Sequence, residues 1–294
     1  MIARLAAFSA ALVLSLASFA SPVLAEPASW RVIDSDTEML LFGSVHMLPP
    51  HVEWRTAPLE AALASADLVA FEILTPETED EEQAMYAPLV GYMFAQQPLH
   101  EVLTPATWAR LEAFLASHEI PAVAFSQLRP WAAAMMLDLA VSESAGSESE
   151  LGVDTLLERS LAPGQRKEAL DTPALLLATI QSLAAYGDAE AESLLNETLD
   201  WYEELDDQPD WSLEEAWAAG DTDSIGGYVA EMKAEAPLLY KALMTDRNTA
   251  WMPALQRMME TETRVVVIVG AAHMAGPDGL PALLRAAGYT VEGP

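Results

Sequence analysis

The chain has 294 residues, of which 14 are basic, 45 acidic and none cysteine, for a formal charge of −31 at pH 7. So acidic a chain repels phosphate and has no basic stripe, which excludes a conventional nucleic-acid binder and electrostatic docking on an anionic membrane. The missing cysteines exclude disulfide scaffolds, thiol nucleophiles and iron–sulfur clusters, leaving His, Asp, Glu and water to hold any metal.

Arg4 is the only charge among residues 1–25, an apolar run follows from Leu5 to about Phe19, and Val23 and Ala25 precede a cleavage point. That pattern reads as a secretory signal cut after Ala25. A secreted chain without disulfides fits a bacterial periplasm better than a eukaryotic exterior. Residues 26–294 are then expected to form a single domain. No later stretch is long and apolar enough to span a bilayer.

Met39-Leu40-Leu41-Phe42 is a short apolar run stopped by Gly43, and it predicts a buried strand. After a loop with Pro49 and Pro50, residues 57–65 are rich in Ala and Leu and predict a helix. Leu68-Val69-Ala70-Phe71 is again strand-like and ends at Glu72. Strand, helix, strand is the unit of a parallel sheet. Residues 75–261 read as mostly helical, with Leu, Ala, Met and Trp at three- and four-residue spacings. Val141 to Glu150 reads as a loop, and Pro163-Gly164 and Asp207 to Pro209 as breaks. Arg264 to Val269 is the clearest strand in the chain. Asp278 is the expected cap of a helix over 280–287, and Tyr289-Thr290-Val291 resumes as a strand. The expected fold is α/β: a parallel-sheet core of N- and C-terminal βαβ units (residues 30–75 and 262–294) with a helical insertion over 76–261.

The chemical signal occurs twice. Gly43-Ser44-Val45-His46 follows the first strand and Gly270-Ala271-Ala272-His273 follows the strongest one. Ligands of parallel sheets bind at the carboxyl ends of strands, and a Gly there allows a sharp turn or a close approach. His46 and His273 are therefore expected at one site. His51, His100 and His118 lack that context and read as surface or packing residues. Glu72 ends an apolar strand, where a carboxylate is costly unless paired or bound to a metal. Two imidazoles and a carboxylate suit divalent Zn, Mn or Co with positions open for water, and a nearby carboxylate could instead be a general base. Arg247 reads equally as a group that steadies an oxyanion or holds a substrate carboxylate and as a structural ion pair. A nucleophile elbow, a His-Glu-x-x-His pair, a phosphate loop and a dinucleotide fingerprint are all missing from the sequence.

At these residues the sequence resembles the TraB/GumN family, related to the Tiki metalloproteases. The matching segments run in order: 43–46, 66–72, Leu151-Gly152-Val153-Asp154, Trp217-Ala218-Ala219-Gly220-Asp221, Arg247-Asn248-Thr249-Ala250-Trp251 and 269–280. The resemblance implies a fold like the erythromycin-esterase and ChaN haem-binding group. It also implies a metal-dependent peptidase with His46, Glu72 and His273 on a divalent metal. Glu72 and Arg247 would be catalytic, and Ser44 and Asn248 would line the substrate site. Ser44 stands where the family often has Thr, and Glu72 is followed by Ile73-Leu74 rather than by a further acid. The alternative expectation is a binding protein of the same fold that holds haem or a peptide without cleaving it.

Overall fold

The computed structural model describes residues 26–206 and 212–294. The secretory-signal reading of residues 1–25 and the expected break at Asp207 to Pro209 lie outside the described residues. Six strands form one sheet: β1 (Ser29–Ile33), β2 (Glu38–Ser44), β3 (Leu68–Phe71), β4 (Lys167–Ala169), β5 (Arg264–Gly270) and β6 (Thr290–Glu292). Their order is β4-β3-β5-β2-β1-β6. The β2–β5, β5–β3 and β3–β4 pairs are parallel, whereas β1 runs antiparallel to both β2 and β6.

The fold class is α/β as expected, but the sheet is mixed and the two βαβ units do not stand side by side. β5 lies between β2 and β3, so chain ends far apart in sequence share the centre. Both edges of β5 are thereby occupied. The last strand cannot continue beside β5 and instead adds to the outer edge of β1. Residues 76–261 are mostly helical, but they also supply β4. Its Lys167-Glu168-Ala169 carries no apolar run because it is a short edge strand.

Apolar side chains cover both faces of the sheet, so its central strands read as continuous hydrophobic runs. On one face Met39, Leu41, Val265 and Val267 pack against Trp251, Leu255 and Met258 of the helix Asp246–Thr261 and Leu280 and Leu284 of the helix Leu280–Ala286. On the other, Phe42, Phe71 and Ile268 pack against Leu59 and Leu63 of the helix Ala57–Ser65, with Trp54 and Trp217. Thr56 caps that helix, its Oγ1 accepting from the Leu59 N–H at 3.4 Å. A separate apolar cluster, centred on Leu111, Trp131, Leu137 and Leu195, holds together the helices Pro105–Ser117, Pro130–Ser144 and Asp188–Asp206.

Two local readings are corrected. The stretch expected to be a loop from Val141 stays helical to Ser144 and ends at Gly146, whose φ of +91° is the left-handed turn that favours glycine. Asp278 does not cap the last helix. Its carboxylate accepts from Lys233 Nζ at 2.7 Å and Tyr240 Oη at 2.8 Å, and the cap position is Gly279, with no side-chain cap bond. Among the described residues no helix is long and apolar enough to cross a membrane.

Candidate functional site

The carboxyl ends of β2, β5, β3 and β4 form one rim. Ser44 is in register with Gly270, and Phe71 with Ile268. Each strand is followed within a few residues by a titratable group: His46 after β2, Glu72 after β3, Asp171 after β4 and His273 after β5. The helix Asp246–Thr261 delivers Arg247 to the same rim.

Arg247 is the hub of the charges. Its Nη2 donates to Glu72 Oε2, and also to Asp171 Oδ2 at 2.8 Å. All three side chains are nearly shut off from solvent, at 11%, 10% and 1% exposure for Arg247, Glu72 and Asp171. Trp251, one helical turn on, donates its Nε1–H to Asp171 Oδ1 at 2.7 Å and lies under the guanidinium, 4.8 Å from the ring centroid. Glu72 Oε1 accepts the Gly270 N–H at 2.5 Å. Burial opposes the charge on Glu72, but Arg247 and the neighbouring histidines overcome it and hold the carboxyl far below its ordinary value. Asp171 goes the other way: burial raises it despite the same guanidinium.

His273 is locked by hydrogen-bond logic. Asn248 Nδ2 donates to the Asp278 carbonyl at 2.8 Å, which turns Asn248 Oδ1 toward His273 Nδ1, 2.6 Å away. His273 Nδ1 therefore carries the hydrogen, and Nε2 is left as the acceptor facing Arg247 Nη1 at 3.2 Å. The ring is 2% exposed. Burial, reinforced by Arg247 and His46, lowers its pKa to about 4, so it is neutral in neutral solution.

His46 is different: its side chain is 63% exposed. Its Nδ1 stands 3.3 Å from Asp154 Oδ1, and this hydrogen bond raises its pKa to about 9. Asp154 reaches it because the segment before it is tied to the loop after β2. Glu148 bridges Leu48, and the Val153 N–H donates to the Val45 carbonyl at 2.9 Å. Gly152 permits that contact, since a methyl there would lie 2.3 Å from the His46 carbonyl oxygen. Gly152→Ala is expected to cost about 1–3 kcal/mol, the usual penalty of overpacking, and to part Asp154 from His46. Urea unfolding would measure the first effect and a histidine NMR titration the second, and an unshifted His46 in the folded variant would refute the clasp.

One small space joins these groups. The position that a Cβ on Gly270 would take is 3.1 Å from Glu72 Oε1, 3.7 Å from His273 Cδ2 and 3.8 Å from His46 Nε2. The histidines and the glutamate thus do meet. As they stand they do not fit a divalent metal, because among the described residues no three His, Asp or Glu side chains are grouped to hold one. The guanidinium gives the physical reason. It already covers Glu72 Oε2 and faces the acceptor nitrogen of His273, so one cation occupies the lone pairs that a second would need.

A family model described as TraB/PrgY/gumN matches residues 28–293. The chain belongs to that family. No curated protein and no solved structure matches it.

In this TraB/PrgY/gumN family member the six residues singled out by sequence all fall at or beside the rim, but in different roles. Ser44 is 1% exposed, and its Oγ has no hydrogen-bond partner among the described residues. Asn248 is equally buried and holds His273 and the 278 carbonyl. Both side chains are closed to solvent in this structure. Arg247 is engaged in ion pairs with Glu72 and Asp171. Asp154 and Asp171 were not anticipated as site residues. Asp154 lies in the quoted Leu-Gly-Val-Asp segment, which was its signal. Asp171 follows Ala169-Leu170 as Glu72 follows Ala70-Phe71, but the charged start of β4 hid the strand. His100 packs by Trp108 and His118 stacks on Phe114, as packing residues.

Proposed function

We propose that this family member is a hydrolase that cleaves a carbonyl-centred bond, with peptides as the first substrate class, using His46 as general base and Glu72 to orient the attacking water. One observation carries the reading: His46 Nε2, Glu72 Oε1 and the edge of His273 converge on the cradle over Gly270, on the rim where sheets of this kind bind ligands.

The choice of base follows from relative basicity. Glu72 is held ionised by Arg247 and is too weak a base. His273 is weaker than an ordinary imidazole and both its nitrogens are engaged. His46 is the strongest base of the three, its ring is oriented by Asp154, and its Nε2 faces the cradle. His46 Nε2 takes the proton of the attacking water and returns it to the leaving atom, so the group is regenerated. Glu72 Oε1 accepts the water's other hydrogen. Arg247 keeps Glu72 charged and His273 neutral through its field. Arg4 and the apolar run after it support secretion to the periplasm as the setting for this activity.

The test is Gly270→Ala. Gly270 has an ordinary negative φ of −49°, so a methyl strains no backbone, but it fills the cradle. In a peptide-library assay the variant should lose at least about 10²-fold in kcat/KM while its circular dichroism stays that of a folded chain, with a modest fall in thermal stability because the methyl crowds Glu72 Oε1 at 3.1 Å. Undiminished cleavage in the variant would refute the site. Activity should also survive a chelator. Loss with chelator and recovery with Zn, Mn or Co would replace this mechanism by a metal one in which Arg247 moves aside. A Soret shift with hemin and no cleavage of any peptide would favour the binding-protein alternative.

A further inference from the structure

A second concavity lies away from the rim, among the helices Pro130–Ser144, Asp188–Asp206 and Thr222–Glu235, with a volume of about 680 Å³. Its floor is apolar, formed by Met135, Leu194, Met232, Leu239 and Leu243. Methionine suits a surface that must adapt to a guest, because its unbranched thioether repacks at low cost. Around the floor stand Glu204, Glu231 and Glu235, none of them in an ion pair among the described residues, and Glu197, which accepts from Ser193 Oγ at 3.0 Å. Asp200 and Glu203 share the lip but are already taken by Arg110, at 2.5 and 2.8 Å. No Lys, Arg or His lines the concavity among the described residues. The buried trio Val229, Tyr240 and Met244 packs against Ala272 and Ala275 and separates the groove from the His273 loop.

We infer that this groove docks a cationic amphipathic peptide segment, its apolar side chains on the Met and Leu floor and its Lys or Arg side chains against the four carboxylates that no cation neutralises among the described residues. Charge complementarity selects the occupant. A neutral apolar helix would cover the floor and leave four like charges desolvated at its edges, whereas a small polycation would satisfy the walls and leave the floor bare. The size is that of a ligand site rather than of a packing defect. The inference is independent of the reaction proposed at the rim.

The experiment is a fluorescence-anisotropy titration of the full chain with a labelled helical Lys/Leu peptide. Controls are its Glu/Leu counterpart, a scrambled Lys/Leu peptide without an apolar face, and spermine as competitor. The Lys/Leu peptide should bind, and binding should weaken with added salt. The double variant Glu231→Lys, Glu235→Lys, whose changes lie on an exposed helix face, should bind at least roughly tenfold more weakly. Glu204→Lys, on the opposite wall, should act in the same direction. Either variant's circular dichroism should match that of the unaltered chain. Absence of binding, equal binding of the Glu/Leu or scrambled peptide, full competition by spermine, or unchanged affinity in both variants would overturn the inference.

Discussion

Arg247→Ala should destabilise the protein by about 3–5 kcal/mol, measured by urea unfolding, because it strands two buried carboxylates. Glu72 and Asp171 are nearly closed to water and share this guanidinium as their ion-pair partner. The size of the loss comes from the uncompensated charges left behind, more than from any net gain the pair supplied. Arg247→Lys should recover part of the loss, since it restores charge but cannot serve two carboxylates in a fixed fork.

The pH dependence separates this account from a simple loss of packing. In the unaltered protein the Glu72 pKa is depressed, so its contribution is fully present above the ordinary carboxylate range and is lost as pH falls toward the folded value. Asp171 is raised, so its contribution is present at low pH and is lost as pH rises through its folded value. Without Arg247 both carboxyls take up protons more readily in the folded state. The variant should therefore close the stability gap to the unaltered protein as pH drops from about 7 to about 5. A gap that stays constant over that range, or a total loss under about 1 kcal/mol as for an exposed pair, would mean that the network is not what holds this rim.

His46→Ala should lower kcat by roughly 10²–10⁴-fold, the usual worth of a positioned acid–base group. Its side chain is 63% exposed, so packing contributes little, and any stability lost at neutral pH is the link to Asp154 that its raised pKa reports and should vanish above the folded pKa. The two readouts together distinguish a residue that works from one that only packs. The pH profile adds a sign. A base must be deprotonated, and Asp154 raises His46 to about 9, so kcat/KM should climb through neutrality and level off near that value. Asp154→Asn removes the main cause of the raised pKa, and the rising limb should move toward acid, to the range of an ordinary imidazole near 6.5. A limb that does not move in Asp154→Asn would show that some other group titrates.

Much of the rim was legible because strand ends leave a plain mark. Apolar runs that stop at a glycine or a carboxylate flagged Gly43, Gly270 and Glu72, and the repeated Gly-x-x-His spacing flagged both histidines. The partners were harder to see. Asp154 comes near His46 only because the 148–153 segment is hydrogen-bonded to the loop after β2 and Gly152 allows contact. Asp171 stands by Arg247 only because β4 pairs with β3, a pairing made by backbone bonds that side-chain pattern does not encode.

The amino-acid order alone determined that this is an α/β chain with His and Glu residues at the ends of apolar strands, since burial on both faces of a sheet demands continuous hydrophobic runs. Tertiary structure decided which strands became neighbours and therefore which charges met. Once β5 lay between β2 and β3, Arg247 was brought against Glu72 and Asp171 in a place closed to water. Charges there act on each other far more strongly than on a solvated surface, so their distances set the protonation of every group at the rim.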